Sequence, residues 1–581
     1  MEHIETALEN YLASKNIEGI APELTPAPEN TGADFSTNLA LKLAKPLKTA
    51  PLKIAEEIQS ALEALNCEIA IAAPGFINFT LKDAYWQSAL ETLETNPLTS
   101  DLYQNQTLLT EFSDPNPFKV LHVGHLYTSV VGDSISRLLE NAGGDVKRLN
   151  FGGDVGLHVA KNLYILKDQD LEKYRTASPA EKAELLGRCY VEGTRAYEDD
   201  ASAKREITEL NQLIYEISRN GPDYKYDDDE TAKIAELYWW GREASYDYFA
   251  DFYQSLGLKF DEFIPESSVA DLGKEIVLKN TPSTYEKSDG AIIFRGEDYG
   301  LHTRVFINQE GIPTYEAKDV GLIFKKDAKY HFDQSIVITG DEQREYMRVV
   351  MKSIEQYAPD LIKKSAHLTH GMVKLPGAVK MSSRKGNFLK ATELLEHVRF
   401  LVAMQCDEEG APEGDALKVR RLRSASSEEA VRANKIALGA IKYTFLKSKL
   451  GGDIELDIKE SVSMTGNSGP YLQYSAVRAK KILEKSTGSS SNNNLSSPFE
   501  KSLIRKIANY EPILKEATED LAPHKLATYL YDLAQEFSRF YENCPVAGSE
   551  NEAFRLKIVK TYLKVITHGL NLLGIEIPER M

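Results

Sequence analysis

The sequence predicts a Rossmann-like α/β domain with helical insertions, preceded by a small α+β domain and followed by an all-α domain. Three observations lead there. The chain has 581 residues, and single hydrophobic cores stop growing at roughly 250–300 residues, so two or more domains are expected. Leu108-Leu109-Thr110-Glu111-Phe112 is a short apolar run that leaves into Ser113-Asp114-Pro115-Asn116-Pro117, and helical spacing follows His122. Buried strand, loop and helix in that order open a nucleotide-binding sheet. Beyond about residue 432 nearly every stretch has helical periodicity. Leu526, Leu530, Leu533, Phe537 and Phe540 make one apolar stripe there.

Residues 1–100 carry the α+β signals. The stretch from Phe35 to Ala44 starts with polar cap candidates and continues with helical spacing, and Pro51 sits in the first turn of a second helix. Ile69–Ala72, Pro74-Gly75 and Phe76–Phe79 predict strand, turn, strand. The α/β domain is expected over 101–431. Its first helix runs through Leu126, Val130, Val131, Ile135, Leu138 and Leu139 and stops at Gly143-Gly144. From about 160 to 285 the chain is helical and charged, and the acidic runs Glu198-Asp199-Asp200 and Asp227-Asp228-Asp229-Glu230 mark solvated faces of an insertion. Strand patterns return at Ala291–Phe294, Val305–Ile307 and Ser335–Thr339 between helices, so the parallel sheet is expected to continue through them. The all-α domain is expected over 432–581. Its Ser/Gly/Asn tract from Ser486 to Asn494 predicts a flexible surface loop over 486–498, because such a composition cannot bury a core.

Bulk properties narrow the function classes. No run of 18 apolar residues occurs, and the N-terminus Met1-Glu2-His3-Ile4-Glu5 lacks a basic segment ahead of an apolar one. Neither a spanning helix nor a secretory signal is expected, and a cytoplasmic location is. The four cysteines (Cys67, Cys189, Cys406, Cys544) are far apart and include no C-x-x-C pair, so neither a zinc knuckle nor a disulfide framework is indicated. The net charge of −18 gives no support to nucleic-acid binding, although a local basic face is compatible with an acidic total.

Two short motifs carry the chemistry. His122-Val123-Gly124-His125 stands where a helix begins. A helix N-terminus offers free N–H groups and partial positive charge, so anions settle there, and Gly124 lets a flat base approach the backbone. The H-E-x-x-H pattern of a zinc site is absent. Alone, the tetrapeptide is weak evidence. Gly371-Met372-Val373 precedes Lys380-Met381-Ser382-Ser383-Arg384-Lys385-Gly386-Asn387, a loop of three cations and two hydroxyls able to close on a pyrophosphate as charge develops. Alone, it also fits a solvated basic loop. Together, flanking one α/β domain, the two point to an ATP-activating site.

The pair resembles the H-I-G-H and K-M-S-K-S motifs of class I aminoacyl-tRNA synthetases, with Val123 in place of Ile and Arg384-Lys385 in place of a single final Lys. The resemblance narrows to the arginyl-tRNA synthetases through Glu111–Asn116, Lys119, Asn150, Gly153–Gly156, Gly311–Asp319, Gly469–Tyr474 and Leu573–Met581, and through Gly32–Ala40 and Pro74–Asn78 at the N-terminus. It covers nearly the whole chain. It implies His122, His125, Lys380, Lys385 and Lys119 as catalytic. It implies Val123, Gly124, Gly153, Asp154, Met372, Val373, Met381, Ser382 and Ser383 around ATP, and Glu111, Ser113, Asn116, Tyr315, Asp319 and Gln343 around L-arginine. A guanidinium is a planar fork of five donors that stays charged, so carboxylates and an aromatic face suit it, and Tyr315 and Asp319 share one helix face. Mg²⁺ is expected to arrive with ATP, with no tightly bound metal of the protein's own.

The resemblance further implies tRNA(Arg) as a partner, adenylate formation that needs bound tRNA, no membrane, and a monomer. An N-terminal domain would touch the tRNA through Phe35 and Asn38. The helical C-terminal domain would read the anticodon with Tyr471, Tyr474, Arg478 and Met581, helped by Tyr541, Lys442, Lys447, Lys480 and Lys481. Tyr127 and Leu157-His158-Val159 depart from the family pattern. His158 either approaches the nucleotide or caps a helix, and the cap is favoured. The rival is an adenylyltransferase of the same nucleotide-binding superfamily that acts on no tRNA; such an enzyme has no need of the long helical C-terminal domain.

Overall fold

A computed structural model of the protein describes residues 2–28, 31–65, 67–374, 389–406, 428–486 and 495–581. Its residues group into two compact units.

The first unit comprises Met1–Pro97, Lys485–Asn509 and Arg539–Tyr562. It holds α1 (Glu2–Ser14), β1 (Thr25–Pro26), β2 (Phe35–Thr37), α2 (Leu39–Leu47), α3 (Pro51–Ala61), β3 (Cys67–Ala72), β4 (Phe76–Leu81) and α4 (Asp83–Thr95). The strands form an antiparallel sheet in the order β1-β2-β4-β3. Phe35, Ser36 and Thr37 are therefore strand, where the sequence predicted the start of a helix. All three are buried and pair with β4, and tertiary pairing overrides a local cap signal. Asp34, fully buried, accepts from Leu81 N–H at 2.6 Å and pairs with Arg505, with Lys501 3.7 Å away. The segment from the far end of the chain thus supplies the charges that the N-terminal sheet buries.

The second unit comprises Leu98–Glu484, Tyr510–Ser538 and Leu563–Met581. Its centre is a five-stranded parallel sheet in the order β12-β11-β5-β6-β7. Here β5 is Thr107–Glu111, β6 is Asp145–Gly152 and β7 is Glu262–Pro265. Strand β5 leads through α5 (Val123–Asn141) into β6. Four helices, α6 (Leu157–Leu166), α7 (Pro179–Asp199), α8 (Ala201–Asn220) and α9 (Asp229–Leu256), separate β6 from β7 and bury their own core of Leu163, Leu186, Ile207, Ile214 and Tyr238. This insertion ends short of residue 285, because Glu262–Pro265 returns to the sheet as its edge strand beside β6. Helix α10 (Ser267–Lys279) follows.

Next, β8 (Glu286–Ser288), β9 (Ala291–Phe294) and β10 (Arg304–Ile307) pair antiparallel in a separate three-stranded sheet. The expectation that Ala291–Phe294 and Val305–Ile307 continue the parallel sheet is therefore corrected; the connections on either side of β9 are shorter than the crossover of about a dozen residues that parallel pairing needs. The parallel sheet resumes after α11 (Tyr315–Tyr330) with β11 (Gln334–Gly340), then α12 (Arg344–Glu355), α13 (Pro359–Lys363) and β12 (Ser365–His370). β13 (Val373–Lys374) pairs with Ile454–Glu455, and α14 (Ala391–Cys406) opens the helical remainder. Leu109, Leu149, Ile264, Val320 and Val337 fill the core beneath the sheet. Each contributes roughly 1.5–3 kcal/mol by leaving water. No helix among the described residues is long and apolar enough to cross a membrane. The loop expected over 486–498 lies mostly outside the described residues.

Candidate functional site

Strand β5 is flanked by its successor β6 on one side and by β11 on the other, so the chain reverses direction across the sheet between β5 and β11. In a parallel α/β sheet the crevice at the carboxyl ends of two such strands is where ligands bind. Glu111 to Phe118 leave β5 there, and the turn Asp341–Gln343 leaves β11.

His122 is the N-cap of α5. The cap is reciprocal: Gly124 N–H donates to His122 Nδ1 at 3.1 Å, and His122 N–H donates to His125 Nδ1 at 3.2 Å. The two rings stack with centroids 3.8 Å apart. A Cβ at residue 124 would stand 2.8 Å from His122 Cε1, so the stack needs glycine there. An Nδ1 that accepts from an amide carries no proton, so each neutral ring holds its proton on Nε2. Burial, with Lys119 and His370 adding to it, draws His122 down to about 4. Burial and the neighbouring His122 hold His125 well below its ordinary value. At neutral pH the motif is thus two uncharged Nε2–H donors at a helix N-terminus whose first amides are already taken by Leu389 O, His122 Nδ1 and His122 O, so the imidazoles and the partial positive charge of the helix end, not free amides, face a ligand. Lys119, with its ammonium 4.5 Å from the ring centre of Tyr190, supplies the cation.

The first turn of α5 is also tied to the residues that follow the second motif. Val123 N–H donates to Leu389 O at 3.0 Å and Ala391 N–H to Leu121 O at 3.1 Å. Val123 turns its side chain into the core. Ahead of that motif, Met372 N–H donates to Asp453 at 2.8 Å; the Met372 side chain is exposed and Val373 is buried. Lys380, Met381, Ser382, Ser383 and Lys385 themselves lie outside the described residues.

Across the crevice the structure gathers acids. Glu111, at the end of β5, pairs with Lys326 of α11 at 2.8 Å, and both side chains are buried. Asp114 accepts from Phe151 N–H at 2.7 Å; burial and the nearby Glu111 hold its carboxyl well above the usual carboxylate range. Glu266 pairs with Lys318 at 2.7 Å, again with both side chains buried. Tyr315, Asp319 and Lys326 share one stripe of α11, with the Tyr315 ring half exposed and the other two buried. Asp319 accepts from the Tyr346 hydroxyl, and among the described residues no lysine or arginine lies within ion-pair distance of it. Burial pushes its carboxyl up to about 8, Glu111, Glu266 and Glu316 add to the rise, and the Tyr346 hydrogen bond opposes it. Among the described residues, the acids Glu111, Asp114, Glu266 and Asp319 are paired directly with two cations, Lys326 on Glu111 and Lys318 on Glu266.

Other predicted residues have defined places. Asn116 Oδ1 accepts from Gly153 N–H at 3.0 Å, and a Cβ on Gly153 would stand 2.4 Å from that oxygen. Ser113 Oγ bonds the Tyr253 hydroxyl at 2.8 Å. Gln343 is exposed at the close of the turn after β11. The Asp154 carboxylate is fully buried and accepts from Ser267 N–H, Ser267 Oγ, Arg242 and Tyr238. Its acceptors serve the loop between β6 and α6. His158 folds back so that Nε2 reaches Gly153 O at 2.6 Å, and Tyr127 packs in the core between His370 and Phe445.

Among the tRNA candidates, Phe35 is buried 6.3 Å from the Trp86 ring, which makes it a packing residue. Asn38 is the N-cap of α2 and makes no side-chain cap bond. Tyr474 and Arg478 sit one turn apart on the helix Gly469–Lys485, with the guanidinium 4.6 Å from the ring centre. Tyr471 bonds Ser538 at 3.2 Å, and Met581 is half-buried. Lys442 is buried, and its ammonium donates to Leu256 O and Gly574 O, so it braces the C-terminal turn and presents no charge to a partner. Sequence reasoning missed Lys326, Lys318, Glu266 and Tyr346. Lys326 had a signal, since it continues the helical stripe of Tyr315 and Asp319.

Comparison with known proteins gives the family. The family model described as tRNA synthetases class I (R), catalytic domain, matches residues 89–457. The chain belongs to the arginine–tRNA ligases. The arginyl tRNA synthetase N terminal domain matches residues 2–81, and the DALR anticodon binding domain matches residues 472–581. The arginine–tRNA ligase of Borreliella afzelii is 30% identical, with 100% of this chain and 98% of that one covered. That of Bacteroides thetaiotaomicron is 27% identical over 99% and 100%. The arginyl-tRNA synthetase structure from Thermus thermophilus superposes with a TM-score of 0.76 at 25% identity, covering both chains completely. The structure from Plasmodium falciparum has a TM-score of 0.77 at 21% identity, covering 100% and 99%. The enzyme is thus a class I aminoacyl-tRNA synthetase, and an ATP-using catalytic domain accords with its paired histidines.

Proposed function

We propose that this enzyme holds the L-arginine side chain among Glu111, Asn116, Tyr315, Asp319 and Gln343, with Ser113 shaping the loop beneath. Asp319 carries this reading. It is a buried carboxylate at the mouth of the crevice, one turn from the half-exposed Tyr315 ring, and it has a hydroxyl donor but no cation among the described residues. Burial without a cation disfavours the ionised carboxyl, and an incoming guanidinium favours it again and meets it in a planar two-point contact. Lysine offers a single compact ammonium and leaves acceptors unmet, which is the physical basis for rejecting it.

ATP, taken up as its magnesium salt, lies over Gly124 and Gly153 with its phosphates toward His122, His125 and Lys119. The arginine carboxylate oxygen attacks the α-phosphorus, the bond to the bridging oxygen breaks, and pyrophosphate leaves with the charge. The two Nε2–H groups and Lys119 stabilise that charge, joined by Lys380 and Lys385 from the second motif; one such contact typically contributes about 10²–10³ in rate. Neutral imidazoles suit this role, because a donor that loses no proton needs no reset between turnovers. The 2′-hydroxyl of the terminal adenosine of tRNA(Arg) then attacks the arginyl carbonyl carbon and AMP departs. Phe35 and Val123 enter this scheme through packing. Tyr474 and Arg478 offer the stacking surface that unpaired anticodon bases require. The enzyme acts as a monomer in the cytoplasm.

ATP–pyrophosphate exchange tests the reading. Exchange is expected with arginine and tRNA(Arg), and not with lysine. Exchange that ignores arginine or runs on a different carboxylate would overturn it in favour of an adenylyltransferase.

A further inference from the structure

The arginine pocket just described leaves one neighbouring pair unused. Tyr346 comes from α12, Arg304 from β10, and Asp319 and Glu316 from α11, so three elements meet at one point. The Tyr346 hydroxyl donates to Asp319 Oδ2. The Arg304 guanidinium carbon stands 5.3 Å from the Tyr346 ring centre, while its Nη1 donates to Glu316 at 3.1 Å. Arg304 Nε is buried and has no hydrogen-bond partner among the described residues, where the Tyr346 ring and Glu316 hold this guanidinium.

We propose that Tyr346, braced by Arg304, is a positioning residue that sets the plane of the Asp319 carboxylate for two-point pairing with the substrate guanidinium and thereby sharpens selection of arginine over lysine. The inference rests on the pocket reading above. A carboxylate offers about four lone-pair directions in its plane. The hydroxyl occupies one on Oδ2, which stops rotation about the last side-chain bond and leaves Oδ1 and the other Oδ2 direction open for a fork. Without the hydroxyl the carboxylate turns, and a turned carboxylate satisfies an ammonium as well as a guanidinium. Tyr346 keeps its proton for this task, because burial and the adjoining Asp319 raise the phenol well above its ordinary value. The ring is in turn fixed by a cation over its face. The charges facing Asp319 are Glu111, Asp114, Glu266 and Glu316 against Lys318, Lys326 and Arg304.

The test compares Tyr346→Phe, Arg304→Gln, their double variant and Asp319→Asn in tRNA-supported ATP–pyrophosphate exchange from pH 6 to 9. Losing a hydrogen bond to a charged group is expected to raise the arginine KM of Tyr346→Phe about tenfold, with a smaller change in kcat and none in the ATP KM. The arginine-to-lysine ratio of kcat/KM falls, and the pH below which the arginine KM climbs moves upward. Arg304→Gln shows the same signs more weakly, and the double variant is no worse than Tyr346→Phe alone. Unchanged arginine KM, pH onset and lysine ratio in Tyr346→Phe overturn the proposal. Should that variant lose its fold, seen as a collapsed melting temperature and ATP KM, Arg304→Gln decides by the same pH onset. Asp319→Asn separates the two levels. Wild-type arginine kinetics in that variant sink the pocket itself, whereas a loss there beside an unaffected Tyr346→Phe sinks only the positioning role.

Discussion

Arginine binding should release a proton. In the free enzyme the Asp319 carboxyl stands at about 8, raised mainly by burial and then by the neighbouring Glu111, Glu266 and Glu316. About nine-tenths of the molecules therefore carry a protonated Asp319 at pH 7. A guanidinium placed on this group favours the carboxylate, so the value falls on binding and the proton leaves. The sign follows directly: arginine affinity is full above pH 8 and declines as pH falls through it. The loss is about tenfold per unit, or about 1.4 kcal/mol, until the bound-state value is reached. Titration calorimetry of arginine at pH 7 in two buffers of unlike ionisation enthalpy should report release of about 0.9 proton. The arginine KM should rise roughly sixteenfold between pH 8 and pH 6.5. Heats that do not depend on the buffer, together with a KM flat from pH 6.5 to 8.5, would refute the reasoning. The same group has a stability consequence. Its folded value lies above the unfolded value of about 3.9, so its contribution to stability is fully present below pH 4 and is lost as pH rises toward 8. Asp319→Asn should accordingly raise the melting temperature of the unliganded enzyme at pH 8.5, and by less at pH 5, while abolishing arginine binding.

Other perturbations separate the parts of the site. Lys326→Met leaves the buried Glu111 carboxylate without its cation and should cost about 3–5 kcal/mol in denaturant unfolding; adding Glu111→Gln should restore most of the stability and none of the activity. Gly153→Ala drives a methyl to within 2.4 Å of Asn116 Oδ1, so pyrophosphate exchange should fall with a raised KM while the melting temperature holds within a few degrees. With His122 drawn down to about 4 and His125 held low by burial, kcat at saturating arginine should not fall from imidazole protonation between pH 8 and pH 6. A kcat that halves near pH 6.5 and is restored by no increase in arginine would show that the histidines titrate as ordinary exposed ones.

What the sequence determined by itself is local. The run Leu108–Phe112, the helix after His122 and the stop at Gly143-Gly144 were legible because strand burial and helix periodicity are written in consecutive residues. The two signature motifs were legible because their spacing is short. What tertiary structure decided is charge and pairing. Glu111 and Lys326 are 215 residues apart and meet only because the fold brings the end of the central strand β5 against α11. Asp319 looks like an ordinary surface acid in a charged helix; its burial beside three other acids, and Tyr346 arriving from α12, exist only in the fold. Phe35–Thr37 became strand and Ala291–Phe294 antiparallel because hydrogen-bonding partners outweighed local preference. The helix cap at His122 shows the division most clearly. The sequence announced a phosphate site at a helix N-terminus, and the folded cap decided which nitrogen of each imidazole holds the proton, because only there do two backbone amides occupy both Nδ1 atoms.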